Sequence, residues 1–530
     1  MRINYIVILL IFLAHESLSQ VPNELDLFFG DSGKVEIDID EYDYLTRIKA
    51  QDSVIYFAGY TGNYDVDLNY DAIVGRIDYL GNLDTTFNDS GYIRFDFPGD
   101  NHSSITDISI GDSGIYFIGS SLDYGVQDTL HLFVGKINFS GEIDTSFADS
   151  GFFTPDLGRY DVGSGISVLP NEQILFCGAS ENIMTLTDHA LMGRLLPNGS
   201  LDTTFGTTGI RIWDSNGELV DSLVTELYEK HGSGGYLNEI TIVENNYFFT
   251  GNYRPGTNNM CLMIMVKENG DINLNYAGLG YRVFELSPNN ENEIVSNYFD
   301  NDTLYSLINV EGNNYGHVTL FIQDTSGTQL SVPNFNVPDW IVKTKDMELT
   351  PNGEIAVSAY AVTELTTPSI DSEGFLVINM NKQGVYNSSY ADAGIFLEGF
   401  DSDESGLEDL VYTNGELFAG GYVSKMVPGN VFDFSFTKLI YNPALGNSVI
   451  NNSNYKMFPN PVDNVLSIEL TDTDYYKLEL LSLTGNLLLQ KQLITNSFRV
   501  DVSDMPNGIY FITVTNLATG NTQTEKVIVE

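Results

Sequence analysis

The chain has 530 residues, with 72 acidic against 24 basic side chains and a formal net charge of −48. That balance repels phosphate backbones and anionic membranes, which argues against nucleic-acid binding. At 42% hydrophobic and 18% charged the composition is that of a folded chain too long for one ordinary core, and its 31 Tyr, 31 Phe and 49 Gly point to strands and tight turns.

Residues 1–19 read as a secretory signal: Arg2 supplies the positive end, Ile6 to Leu13 is an unbroken apolar run, and Ser17-Leu18-Ser19 offers small residues for cleavage. No later apolar run reaches the length of a membrane-spanning helix. One nine-residue phrase then recurs. Leu201-Asp202-Thr203-Thr204-Phe205-Gly206-Thr207-Thr208-Gly209 has counterparts at 25–33, 83–91 and 143–151, whose Asp residues lie 58, 60 and 58 residues apart. Weaker copies run 272–280 and 386–394, and the period places a degenerate one near Leu330.

Three strand-like phrases share the period. Leu45 to Ile48, Ile105 to Ile108, Leu237 to Ile240 and Leu407 to Leu410 alternate apolar and polar residues. Ile55 to Gly59, Ile115 to Gly119, Ile174 to Gly178 and Leu417 to Gly421 are apolar runs ending in Gly. Ala72 to Ile77, Leu132 to Ile137 and Ala190 to Leu195 form the third set, and a fourth strand such as Tyr92 to Phe97 follows each Leu-Asp phrase. Four strands per ~60 residues make one antiparallel sheet, and radial repetition of such sheets makes a β-propeller with short protected edges. The expected fold is therefore all-β: a seven-bladed β-propeller over 24–440, a linker at 441–454 and a small C-terminal β-sandwich over 455–530. The last repeat lacks its phrase and fourth strand, while the N-terminus has a spare phrase and the strand Val35 to Ile39. The residues 35–40 are expected to close the ring as the outer strand of blade seven.

Physically the phrase is a turn between strands three and four. Its Asp can bond the backbone two residues on, its aromatic ring can pack beneath the loop, and its last Gly suits a positive φ. Asn88-Asp89-Ser90 and Asp149-Ser150 also offer oxygen donors for a cation, but Thr207-Thr208 replaces them in another copy. The phrase resembles the delta-60 repeat of bacterial secreted proteins, over roughly 24–440. That resemblance implies propeller blades and no general catalytic role.

Strand parity puts the phrases on one face and the variable loops on the other, where binding residues usually sit. The candidate ligand-binding residues there are Tyr64, Asp65, Asp67, Tyr70, Tyr124, Tyr253 and Arg254. Leu219, Leu223 and Leu227, with Val220 and Val224, predict a short amphipathic helix within an insertion at 214–236. The Asp65-Asp67-Asn69-Asp71 alternation resembles a calcium loop but has Tyr70 and Arg76 where such a loop needs Gly and Glu; Asp401-Asp403-Ser405-Gly406 fails at Tyr412. Calcium is thus only weakly indicated, and no other cofactor is. On the innermost strands Arg47, Asp107, Glu239, Asp346 and Asp409 occupy matching places, either as a polar ring lining a channel or as five solvated strand residues. Carboxylates in a ring could do acid–base work. There is no nucleophile elbow, His-Glu-x-x-His, Walker loop or Cys-x-x-Cys, the histidines are scattered, and Cys177 and Cys261 read as buried thiols.

From Tyr455 the period disappears and short strands alternate with turns: Val465 to Leu470, Tyr476 to Leu483, Leu487 to Leu493, Phe498 to Val502, Ile509 to Asn516 and Thr522 to Val529. Met457-Phe458-Pro459-Asn460-Pro461-Val462, Leu478 to Gly485, Met505-Pro506-Asn507-Gly508-Ile509-Tyr510-Phe511 and Glu525-Lys526-Val527-Ile528-Val529 resemble, in order, the type A C-terminal sorting domain of type IX secretion cargo. The resemblance implies export across the outer membrane of a Bacteroidota-type cell by the type IX machinery. The sorting-motif residues are Pro459, Asn460, Pro461, Gly508, Tyr510 and Lys526. Together the features predict a secreted or surface-attached, non-catalytic propeller that binds an extracellular glycan or protein. The alternatives are a hydrolase or lyase acting on a polymer at the channel mouth and a calcium-stabilised structural protein.

Overall fold

The computed structural model describes residues 25–529 apart from 28, 64–68, 96, 98–99, 124–128, 158–159, 182–187, 214–218, 222–233, 256–257, 289, 312–315, 336–340, 351–352, 363–373, 388–393, 401–403, 426–430, 440–454, 459–461, 463, 483–486, 504, 507 and 518–521. The signal segment and the linker lie outside these residues. The described residues are strands, bridges and turns, with no helix among them. Within the insertion, Leu219–Asp221 is a strand paired with Arg211–Trp213, where a helix was expected. The pairing satisfies backbone groups along the edge strand, which the sequence periodicity could not anticipate. Residues 222–233 lie outside the description.

Antiparallel meanders start with Tyr42–Gln51, Asp100–Gly111, Asp161–Val168, Gly234–Val243, Glu291–Asp300, Ile341–Leu349 and Glu404–Thr413. Each of these first strands packs against its counterparts in the neighbouring repeats, and Tyr42–Gln51 packs against both Asp100–Gly111 and Glu404–Thr413. The apolar second strands are buried on both faces, as in Ile55 to Ala58, because the cores lie between repeats. One cluster joins Tyr56 and Phe87 to Ile105 and Phe117 of the next repeat; another joins Phe418 and Phe434 of the last repeat to Leu45 and Phe57 of the first. Each buried Phe contributes roughly 1.5–3 kcal/mol, so the interfaces between sheets carry much of the stability.

The first strand of every repeat carries a β-bulge at one place, between Leu45 and Arg47, Ile105 and Asp107, Gly163 and Gly165, Leu237 and Glu239, Ile294 and Ser296, Thr344 and Asp346, and Leu407 and Asp409. The bulge pushes a carbonyl toward the second strand and explains the Gly there. A Cβ on Gly59 would lie 1.9 Å from the Tyr44 carbonyl oxygen, and one on Gly421 1.9 Å from that of Gly406. Bulges also re-aim side chains, and here they turn one residue per repeat inward.

The recurrent phrase is a turn that fastens one repeat to the next. The residue after its aromatic donates its N–H to a turn carbonyl of the following repeat: Asn88 to Ser140 (2.7 Å), Ala148 to Asn198 (2.7 Å), Gly206 to Asn269 (2.7 Å) and Ala277 to Ser326 (2.7 Å). Gly30, in the N-terminal copy, donates in the same way to Leu80 of the first repeat (2.7 Å). Its closing Gly has positive φ, +90° at Gly91 and +85° at Gly209. The phrase Asp is fully engaged: Asp84 Oδ1 accepts from the Thr86 amide and hydroxyl (3.0 and 2.7 Å), and Oδ2 pairs with Arg76 on strand three (2.8 Å). Lys136–Asp144 (2.9 Å) and Arg194–Asp202 (2.8 Å) repeat the pair. Where strand three carries Met265 or Asn379 instead, the phrase carries Asn273 or Asn387. The acid and its base are kept or lost together.

The N-terminal strand Lys34–Ile37 pairs antiparallel with Val431–Leu439, the third strand of the last repeat. In the tail, the strands Tyr455–Phe458, Val465–Ser482, Leu487–Asp501, Gly508–Asn516 and Thr522–Val529 form one hydrogen-bonded sheet. The expected small sandwich of two stacked sheets is thus replaced by a single sheet curled around Leu466, Leu478, Phe498, Val500 and Ile512. Two long strands run through the positions read as turns, and a register break between Glu469 and Asp474 marks the irregularity between their halves.

Candidate functional site

The bulge residues bring Arg47 between carboxylates of both neighbouring repeats. Its Nε is 3.1 Å from Asp107 Oδ1 and one terminal nitrogen is 3.7 Å from Asp409 Oδ1. Glu239 and Asp346 lie close enough to stabilise the guanidinium, which these four acids hold more firmly protonated against the opposing effect of burial. Lys49, two residues further along the strand, is raised in the same way against burial by Asp409, Asp107 and Asp346. The five positions aligned in sequence therefore converge. The other two bulge positions are Gly165 and Ser296, invisible to a search for charge.

Much of this ring holds the fold. Asp107 Oδ2 accepts the Ile166 amide of the next repeat (2.9 Å), and Asp409 Oδ2 accepts the Ile48 amide (2.6 Å). Ser296 donates to Asp346 Oδ1 (2.8 Å). Thr46 and Thr106 reach across to the Ile105 and Gly163 carbonyls (both 2.8 Å). Burial raises the Asp409 carboxyl well above the carboxylate range, and the neighbouring charge of Asp346 raises it further. Burial likewise pushes Glu239 up to about 7, partly offset by Arg47 and reinforced by Asp107 and Asp346. Glu348 is also pushed to about 7, by burial and then Asp346.

These shifts set a pH dependence. Glu239 and Glu348 have folded pKa values above the ordinary 4.5, so the folded state binds more protons than the unfolded state between about pH 4.5 and 7. Their contribution is fully present below 4.5 and is lost as pH rises through 7. Thermal unfolding should give a higher Tm at pH 5.5 than at pH 8, and Glu239→Gln with Glu348→Gln should remove most of that difference. An unchanged difference would place its origin elsewhere.

At the loop end of the first strands lies a belt of aromatic rings. Tyr44 is stacked between Tyr60 (centroids 5.3 Å, 9°) and Tyr422 (4.9 Å, 25°). Tyr42 touches Tyr70 (6.0 Å) and Phe432 (5.2 Å), and Tyr70 stacks on His102 (5.0 Å). These rings come from the last repeat and the first two, and all are half-buried. The Tyr44 hydroxyl donates to Glu408 Oε1 (2.7 Å), whose other oxygen pairs with Lys345 (2.7 Å).

Of the variable-face candidates, Tyr70 belongs to this belt. Tyr253 packs edge-on against Trp213 (5.3 Å) and Arg254 lies 3.6 Å from Glu291, both in another repeat. Tyr64, Asp65, Asp67 and Tyr124 lie outside the described residues. The belt members Tyr42, Tyr44, Tyr60, Tyr422 and Phe432 were missed in sequence. A usable signal existed: Tyr60 and Tyr422 each follow the Gly that ends the apolar run of a second strand.

In the tail, Gly508 opens the strand Gly508–Asn516, the Tyr510 hydroxyl donates to the Pro506 carbonyl (2.7 Å), and Lys526 pairs with Phe511 through the backbone. Pro459, Asn460 and Pro461 lie outside the described residues. The tail defines the class of protein: a cargo that carries its own export address. Residues 456–530 match the family described as the secretion system C-terminal sorting domain. The domain marks a type IX secretion substrate, secreted and attached at the outer-membrane surface. Among the described residues no helix is long and apolar enough to cross a membrane.

No curated protein matches the sequence. Among solved structures, the chain resembles PorZ, a surface component of the type IX secretion system of Porphyromonas gingivalis, at 12% identity and a TM-score of 0.36, covering 95% of this chain and 60% of that one. It also resembles the polysaccharide lyase Uly1 (9% identity, TM-score 0.44, 78% of this chain and 92% of that one). The NanB sialidase of Streptococcus pneumoniae is similar at 11% identity and a TM-score of 0.35, covering 79% of this chain and 70% of that one.

Proposed function

We propose that the exported protein is a non-catalytic binding protein built as a seven-bladed, delta-60-type β-propeller over 24–440. The pairing of Lys34–Ile37 with the last repeat supports closure of the ring by the N-terminal strand. Its ligand, an extracellular glycan or protein, is taken up on the variable face. The observation that carries this reading is the half-buried aromatic belt around Tyr44 on that face. Large rings with polar tips are suited to recognition surfaces. The carboxylates nearest the axis favour binding over catalysis, because Asp107 and Asp409 hold backbone amides of neighbouring strands.

Glycan arrays and partner pull-downs with the wild-type protein and Tyr44→Ala test the proposal. Loss of Tyr44 should weaken binding about tenfold or more, on the scale of a binding hot spot. Equal binding by both would remove the belt from the account. A second reading, a hydrolase or lyase on a polymer, is favoured by one observation: Glu239 and Glu348, at about 7, are acids able to exchange a proton near neutrality. It requires time-dependent chain cleavage that disappears in Glu239→Gln or Glu348→Gln.

A further inference from the structure

Three carboxylates meet on the variable face where the closing strand hands over to the first repeat. One oxygen each from Asp38, Asp43 and Asp433 lies within 4.8 Å of the others. The residues come from three places: Asp38 directly follows the closing strand Lys34–Ile37, Asp43 is in the first strand of the first repeat, and Asp433 is in the third strand of the last. A second observation is independent of this clustering. Asp433 is only 5% exposed, and its Oδ1 has no hydrogen-bond partner among the described residues. Its other oxygen is 3.4 Å from Lys425 Nζ, which makes a closer pair with Glu36 (2.6 Å). Asp43 holds the loop with Oδ2, accepting the Ile39 and Asp40 amides (2.7 and 3.2 Å), while Oδ1 accepts the Thr61 hydroxyl.

We propose that Asp38, Asp43 and Asp433 bind a calcium ion that staples the N-terminal strand to both ends of the repeat array. Three acidic oxygens from separate segments suit a hard divalent cation, with water and backbone carbonyls able to complete six to eight ligands. The other charges around the site are Glu36, Asp40, Lys425 and Arg94; Lys425 pairs more closely with Glu36 (2.6 Å) than with Asp433, and Arg94 is taken by Asp40 and Asp71 (both 2.8 Å), which leaves the three carboxylates with one shared cation. The ion would act on closure of the ring, separately from the aromatic belt.

The test uses the full secreted chain, stripped with chelator and then titrated with calcium chloride, read by calorimetric binding and thermal unfolding. Wild type should bind calcium and gain about 3 °C or more in Tm. Asp433→Asn and Asp38→Asn should each abolish the gain. A purely structural role for Asp433 would lower the Tm of the stripped protein; the proposal expects that Tm to stay level or rise, because a repelling buried charge is removed. Wild type without a calcium-dependent shift, or the same shift in both variants and wild type, would overturn the proposal.

Discussion

Replacing Arg47 by methionine is expected to destabilise the protein by about 3–5 kcal/mol at pH 8, because it removes one partner of a buried ion network and leaves the other charges uncompensated. Arg47 faces Asp107 at 3.1 Å and Asp409 at 3.7 Å, and Asp409 is fully buried. Methionine keeps much of the side-chain volume, so packing alone explains little of the loss. The cost should shrink toward pH 5, where Glu239, pushed up to about 7 by burial, takes up a proton and needs the cation less. Urea unfolding of wild type and variant at the two pH values measures this directly. A cost independent of pH would mean that Arg47 acts as a spacer rather than as the counter-charge of the ring.

Replacing Lys438 by methionine should cost a similar ~3–5 kcal/mol. Lys438 is fully buried and pairs with Asp26 (3.0 Å) and Glu416 (2.7 Å), both almost completely enclosed. Its ammonium also lies over Phe418, 5.3 Å from the ring centroid. Asp26 belongs to the N-terminal copy of the phrase, so this cation ties the start of the chain to its last repeat. The damage should be local first: hydrogen exchange over residues 25–37 should rise more than over the repeat at 161–213. Adding Asp26→Asn and Glu416→Gln to Lys438→Met should recover part of the stability by removing the stranded charges. Uniform acceleration across all repeats would argue that this pair has no special part in holding the chain ends.

Much of the architecture was readable in sequence because one local device repeats. The phrase Asp needs a turn, its aromatic needs a pocket and its Gly needs positive φ, and each need survives in Asp84, Phe87 and Gly91. The spare phrase at 25–33 pointed to the pairing now seen between Lys34–Ile37 and Val431–Leu439. Alignment of the first strands also located Arg47, Asp107, Glu239, Asp346 and Asp409, although it could not tell a solvated row from a convergent one. What decides between them is the bulge, which depends on strand pairing and leaves no fixed residue behind: Gly165 and Ser296 occupy it as readily as Asp107.

The aromatic belt was harder to read because it is assembled across sheets. Tyr44 and Tyr422 are 378 residues apart in sequence yet stack at 4.9 Å. In the tail, the sequence turns between Leu470 and Tyr476 and between Leu493 and Phe498 suggested separate strands. The backbone instead continues through both, and one curled sheet results.

The most direct test of the binding account follows one set of extracellular polysaccharides and surface extracts through three proteins: wild type, Tyr44→Ala and Glu239→Gln. The account predicts saturable binding by wild type and by Glu239→Gln, loss of that binding in Tyr44→Ala, and no new chain ends over time with any of them. New chain ends formed by wild type and abolished by Glu239→Gln would contradict it and make the central ring an active site.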